Sequence, residues 1–254
     1  MIDALALTVG FVLARVGAFV AVLPILDGAK APRSVKTGLV LALTSFLILQ
    51  VGVASPALLA RAASLSWLEC VLILAREAIL GAFLGYALGL VLLPVKIAGH
   101  YLGQEMGLAM GQLLGPTSSN PSTVVSTFFE ILATLLLLGL DGHHLFLATL
   151  RGTFTRYPIG AAFVPPPVDD LVTGLARSHE WGMGLAAPLG GALFITTVVL
   201  AVLSRTVPQL NLFSVGFSLR VAVGLGGAYL LLPDLVRGIV QVFGRYNGLL
   251  QGLV

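Results

Sequence analysis

Hydrophobic positions in this chain gather into long apolar runs separated by short polar breaks. The runs cover about Ala4 to Leu26, Thr37 to Ala54, Leu68 to Val95, Thr123 to Leu150, Gly182 to Leu203 and Leu212 to Leu232. A helix needs about 20 apolar residues to cross the hydrocarbon of a bilayer, and each run is of that order. The pattern therefore predicts about six membrane-length α-helices. Strict alternation over ten-residue segments is absent, which argues against an outer-membrane barrel. The breaks carry turn chemistry. They are Asp27-Gly28 with Pro32-Arg33, then Ser55-Pro56, Pro94, Gly115-Pro116 with Asn120-Pro121, and Pro208. Arg151 to Trp181 is polar and contains Pro165-Pro166-Pro167, so it reads as the longest extramembrane loop. The tail from Leu235 to Val254 has the spacing of an amphipathic helix.

Composition strengthens this picture. Only 10% of residues are charged and 57% are hydrophobic, where soluble domains carry about 25% charged residues. Mean hydropathy is +1.02. The fold class expected is an all-α polytopic membrane protein, a single domain over residues 1–254. The net charge of +3 reads as loop charge for topology, not as nucleic-acid binding. Lys30, Arg33 and Lys36 alone form a clear cytoplasmic cluster. The single Cys70 excludes an intramolecular disulfide, and Met1-Ile2-Asp3 lacks the basic start of a signal peptide.

Of the charges inside the apolar runs, four stand out: Arg15, the neighbours Arg76 and Glu77, and Arg220. An arginine at mid-membrane costs at least a few kcal/mol unless it finds a partner. Adjacent residues point to different sides of a helix, so Arg76 and Glu77 each need a partner elsewhere. These four are expected to be buried charges at interfaces between subunits.

A glycine ladder follows the third run. Gly99, Gly103, Gly107, Gly111 and Gly115 recur at every fourth position, with Leu102, Met106, Met110 and Leu114 between them and polar Gln104, Glu105 and Gln112 interrupting. Glycine costs a helix interior about 1 kcal/mol against Ala, so five need a reason. Close helix packing is one. A bendable plug sealed by soft Met and Leu side chains is another, and a loose connector between helices is the plain alternative. The plug-like segment spans about 99–121. A second ridge, Gly81, Gly85 and Gly89, also predicts close helix contact, with Leu blocked at Gly85 and Ala tolerated.

No catalytic constellation and no phosphate-cradling Walker A sequence is present in the sequence, so no enzyme activity and no cofactor is expected. Asp141 with His143 and His144 offers metal-type side chains, but adjacent histidines leave one helix face, and no metal is expected there. A proton relay through Glu130, Asp141 and these histidines is a further reading; a helix end near the interface accounts for them more simply.

Four stretches taken together resemble one family. They are Gly103-Gln104-Glu105-Met106-Gly107 before Gly115-Pro116; Asp141-Gly142-His143 before Tyr157-Pro158-Ile159-Gly160; Arg205-Thr206-Val207-Pro208-Gln209 through Arg220; and the early Pro24 with Pro32-Arg33. In this order they are similar to the FliR family of flagellar export-gate subunits, whose virulence-type homologue is SctT. The resemblance implies a subunit of the flagellar type III export gate, in the bacterial inner membrane at the flagellar basal body. FliP-like and FliQ-like subunits, with FlhB-like and FlhA-like components, would be its partners, and unfolded proteins its cargo. It also implies that the stretch containing Leu102 through Gly107, with Met110, Gly111 and Gln112, closes the channel. An injectisome gate subunit is the near alternative. A small-molecule or ion transporter is the distant one, disfavoured because the two halves show no evident repeat.

Overall fold

The computed structural model describes residues 2–23, 32–51, 66–108, 123–160, 168–206 and 212–251. These residues form helices and turns, with no strand among them. In chain order the helices are α1 (Ile2–Val22), α2 (Arg33–Val51), α3 (Trp67–Gly89), α4 (Leu93–Glu105), α5 (Val124–Gly139), α6 (Gly142–Arg156), α7 (Val168–Thr206), α8 (Leu212–Leu230) and α9 (Leu232–Gln251). Two compact units share them. One comprises Met1–Leu90, Asp141–Thr173 and Asn247–Val254; the other comprises Val91–Leu140 and Gly174–Tyr246.

Local chemistry sets several helix ends. Ser66 and Glu69 form a reciprocal capping box at the start of α3, with Ser66 N–H donating to Glu69 Oε2 at 2.8 Å and Glu69 N–H to Ser66 Oγ at 3.3 Å. Thr123 caps α5 by accepting the Ser126 N–H at 3.1 Å. The chain breaks after Gly89, ahead of Pro94, which sits in the first turn of α4. A proline has no N–H to lose there. The apolar run expected from Thr123 to Leu150 is two helices, because Asp141 adopts a left-handed conformation with φ 57°. The expected loop from Arg151 to Trp181 is largely helical, since α6 reaches Arg156 and α7 begins at Val168. Polarity there signals exposed helix faces, which hydropathy alone reads as loop.

The described residues do not hold all of the expected six membrane-length helices. Among the described residues, Trp67–Gly89 and Leu171–Thr206 are long and apolar enough to cross a membrane, and two broken pairs raise the count to four. One broken pair is α8 with α9, bent by 67° at Leu231, just before Pro233. The apolar window of the first span is only 39% buried within the chain and that of the second 33%. Most of their surface is therefore left for lipid or other protein chains.

In the first unit, α1 packs against α3 and α2. Phe11, Val12, Val16, Phe19 and Val20 make one buried stripe on α1, the spacing of a helix that buries one face. Leu80, Gly81, Leu84, Gly85 and Leu88 make the matching stripe on α3. Gly81 lies against the Arg15 carbonyl, and Gly85, one turn on, against the Phe19 carbonyl. This register makes the two helices parallel. A Cβ at Gly85 would come to 2.6 Å from the Phe19 oxygen, so the expectation that Ala is tolerated there is corrected. The obstacle is backbone, which cannot rotate out of the way.

In the second unit, α4 packs against α5. A Cβ at Gly99 would meet Ser126 Cα at 2.9 Å, and one at Gly103 would meet Thr123. The order of these contacts makes α4 and α5 antiparallel. Leu235, Ile239, Val242 and Tyr246 bury one face of α9, as its amphipathic spacing predicts. Replacing Gly81 by Ala is expected to cost about 1–3 kcal/mol, the usual range for overpacking. Gly10→Ala, with no atom within 4 Å of the added Cβ, should be neutral or gain up to about 1 kcal/mol. Thermal unfolding of the purified protein in detergent measures both.

Candidate functional site

Arg15 is fully buried at the centre of the first unit. Helix side chains lean toward the N-terminus, so its guanidinium reaches back one turn from the Gly81 contact and meets Glu77, also buried. Nε donates to Glu77 Oε2 at 2.6 Å, and Nη2 pairs with the same oxygen. The outer nitrogens turn to the end of α6. Nη1 donates to the Thr153 carbonyl at 3.0 Å, and Nη2 to the Tyr157 carbonyl at 2.8 Å. The last carbonyls of a helix lack intrahelical donors and carry its negative dipole end. The Thr153 carbonyl also accepts the Tyr157 N–H at 2.9 Å, so the guanidinium supplies the donor for the Tyr157 carbonyl and a cation at the dipole end. The Phe154 ring lies 4.2 Å beneath it, a cation–π contact. Glu77 Oε1 is buried and accepts no hydrogen bond among the described residues.

These contacts correct the expectation for two of the four charges. Arg15 and Glu77 find each other within the chain, not across a subunit interface. No spacing pattern signals this pairing, because 62 residues separate them. Arg76 Nη2 donates to the Pro158 carbonyl at 3.4 Å, beside the same cluster. Arg220 differs: its Nε is buried and makes no hydrogen bond among the described residues. A pair that sequence reasoning did not single out joins α4 to α5, where Lys96 Nζ lies 2.8 Å from Glu130 Oε1. Glu130 therefore belongs to an ion pair. The available signal was a lysine just past the end of one apolar run and a carboxylate inside the next.

The glycine ladder divides into parts with different roles. Gly99 and Gly103 give close packing on α5. Leu102 and Met106 are fully buried, and the Met106 side chain lies where a Cβ on Gly224 of α8 would go. Gln104 is exposed, its side chain 3.0 Å from His100, while Glu105 is half-buried. Gly107 ends the helix. Its φ is +79°, its N–H donates to the Gln104 carbonyl at 2.9 Å, and the Leu108 N–H donates to the Gly103 carbonyl at 3.1 Å. That pair of bonds is the Schellman motif, in which glycine takes a left-handed conformation at low cost. Met110, Gly111 and Gln112 lie outside the described residues. Packing accounts for the first rungs of the ladder, and a turn for the third.

Asp141, His143 and His144 do come together: their ligand atoms lie within 4.8 Å of one another, and the two imidazoles are 4.2 Å apart and tilted by 36°. Adjacent histidines meet here because they stand in the first turn of α6. All three are exposed, and the positive dipole end of a helix start opposes a cation. In the second unit, Pro188 lies within α7 beside a cleft of about 580 Å³, lined by Trp181, Leu185, Leu235 and Val242 with Glu180 and Arg245. The Ser178 and Tyr246 hydroxyls hydrogen-bond nearby and hold α7 to α9.

Close glycine packing and a buried arginine cluster, on helices largely uncovered within the chain, define a helical membrane protein. The chain belongs to the bacterial export proteins, family 1, whose family model matches residues 6–246. It is similar to the flagellar biosynthetic protein FliR of Escherichia coli K12, with 28% identity over 95% of this chain and 90% of that protein. It is also similar to the protein of that name from Pectobacterium carotovorum, at 30% identity over 72% of this chain and 70% of the relative. The Bacillus subtilis protein of that name is 28% identical over 58% of this chain and 59% of its own length.

The cluster predicts an order of stabilities. Removing one member of a buried ion pair costs roughly 3–5 kcal/mol, because the other charge is stranded. Arg15→Ala should therefore cost more than the double variant Arg15→Met with Glu77→Leu. The double variant strands only the Tyr157 carbonyl, at about 1–3 kcal/mol, because the Thr153 carbonyl keeps the Tyr157 N–H. Thermal unfolding of the two variants beside wild type tests the order, and equal losses would show that the charges are not coupled.

Proposed function

We propose that this chain is a subunit of the flagellar type III protein export gate, helping to form and close the channel through which unfolded flagellar proteins leave the cell. The family match over residues 6–246 carries this reading. The flagellar name of the relatives favours a flagellar gate over an injectisome gate. In this reading the chain sits in the bacterial inner membrane as a multi-pass subunit of the flagellar basal body. FliP-like and FliQ-like subunits pack against it, and FlhB-like and FlhA-like components meet the same gate. The largely uncovered spans supply the surface that such partners need. The gate role asks for packing and sealing, with no bond made or broken by the chain itself.

Closure is assigned to the stretch that begins at Leu102 and Gly103 and continues past Met106 and Gly107 to Met110, Gly111 and Gln112. Met106 is seated in the chain, so it anchors the stretch. Methionine is flexible and polarizable and can fill an irregular gap, and a hydrophobic constriction resists water and ions. Loss of the gene should abolish secretion of flagellar proteins into the medium, and complementation should restore it. Deleting residues 109–115, beyond the anchored turn, should leave a complex that still co-purifies with its FliP-like partner but conducts ions in planar bilayers. A tight bilayer with lost co-purification would make the stretch a packing element. Unchanged secretion after loss of the gene would overturn the gate reading.

A further inference from the structure

We infer that Arg220 is held by a carboxylate on a membrane helix of another subunit. The inference rests on the gate reading and names the chemistry of one of its interfaces. Arg220 stands near the middle of α8, inside the broken apolar pair Ser214–Leu230 with Leu232–Tyr246. Its Nε is buried, yet it makes no hydrogen bond among the described residues. A guanidinium carries five donors and stays charged. In an apolar segment it must be paired, and leaving it unpaired costs several kcal/mol.

Neighbouring carboxylates in the same unit are engaged elsewhere or stay apart. Glu130 pairs with Lys96, and Asp234 lies 3.5 Å from Arg237. Glu105 ends α4, close to the turn where Gly107 meets Phe217 of α8 at 3.4 Å and Met106 meets Gly224, yet it forms no ion pair with Arg220. Arg220 thus lies on the turn of α8 between the two positions that seat the base of the glycine-rich stretch. Around it Val215, Phe217 and Leu219 are exposed and apolar. An apolar surface with one half-buried cation, its Nε unsatisfied, matches an apolar helix with one acid. A lipid phosphate is the poorer match. At 1.5 Å per residue, Arg220 lies about 12 Å from the first residue of α8 and about 15 Å from its last, farther than its side chain can snorkel.

The test uses the assembled gate, purified through a tag on another subunit. Arg220→Lys should keep recovery of this chain near wild type. Arg220→Gln and Arg220→Glu should lower it at least about tenfold, as truncating one partner of a buried interfacial pair does. Changing each Asp or Glu in the membrane helices of the partner subunits to Lys should yield one change that restores Arg220→Glu. If the Gln variant fails to accumulate, Arg220→Cys combined with a Cys at that partner position should form a disulfide on mild oxidation. Arg220→Glu that assembles and secretes like wild type overturns the inference and leaves the gate reading intact. Rescue by Glu105→Lys within this chain also overturns it. So does recovery that depends on added phosphatidylglycerol and that no partner change restores.

Discussion

The first unit depends on one buried guanidinium. Arg15 gathers a carboxylate from α3 and two carbonyls from the end of α6, so three separate stretches of chain are tied to one side chain. The gain is tertiary specificity. Apolar stripes on α1 and α3 would tolerate sliding or rotation, whereas a charge with fixed partners in a low-dielectric interior does not. The glycines at 81 and 85 make the arrangement possible by letting the α1 backbone press on α3, which places Glu77 within reach of Arg15.

The second unit solves a different problem. Gly99, Gly103, Gly224 and Gly227 each stand where a neighbouring side chain fills the space of a missing Cβ. The helices are close-packed through small residues, the device favoured where lipid supplies no hydrophobic drive between helices. Against this packed base, α4 ends in a glycine-capped turn directly before the stretch assigned to closure.

Family, helical class and membrane character were legible from residues alone. The apolar runs, the low charge content and the four ordered motifs all point one way, and the family match over residues 6–246 agrees. Helix ends were legible where a side chain writes them, as at Ser66, Thr123 and Pro94. Breaks written by backbone conformation were not. Asp141 takes a positive φ where the Asp141-Gly142 turn signal is outweighed by the apolar run around it. The same limit hid the start of α7, whose polar residues look like loop until their exposed helix faces are seen.

By itself the sequence determined which residues must be satisfied; only the tertiary structure decided by whom. Arg15, Glu77 and Arg220 stand out as costly in any apolar run, because the penalty for burying a charge is a property of the residue and its neighbours in the chain. Their partners depend on distances between segments far apart in sequence, and side-chain spacing carries no such information. Hence Arg15 and Glu77 close on each other across 62 residues. The five-glycine ladder likewise splits into packing rungs and a turn once its neighbours are in place. Spacing states that a backbone can approach closely; the fold supplies the surface that it approaches.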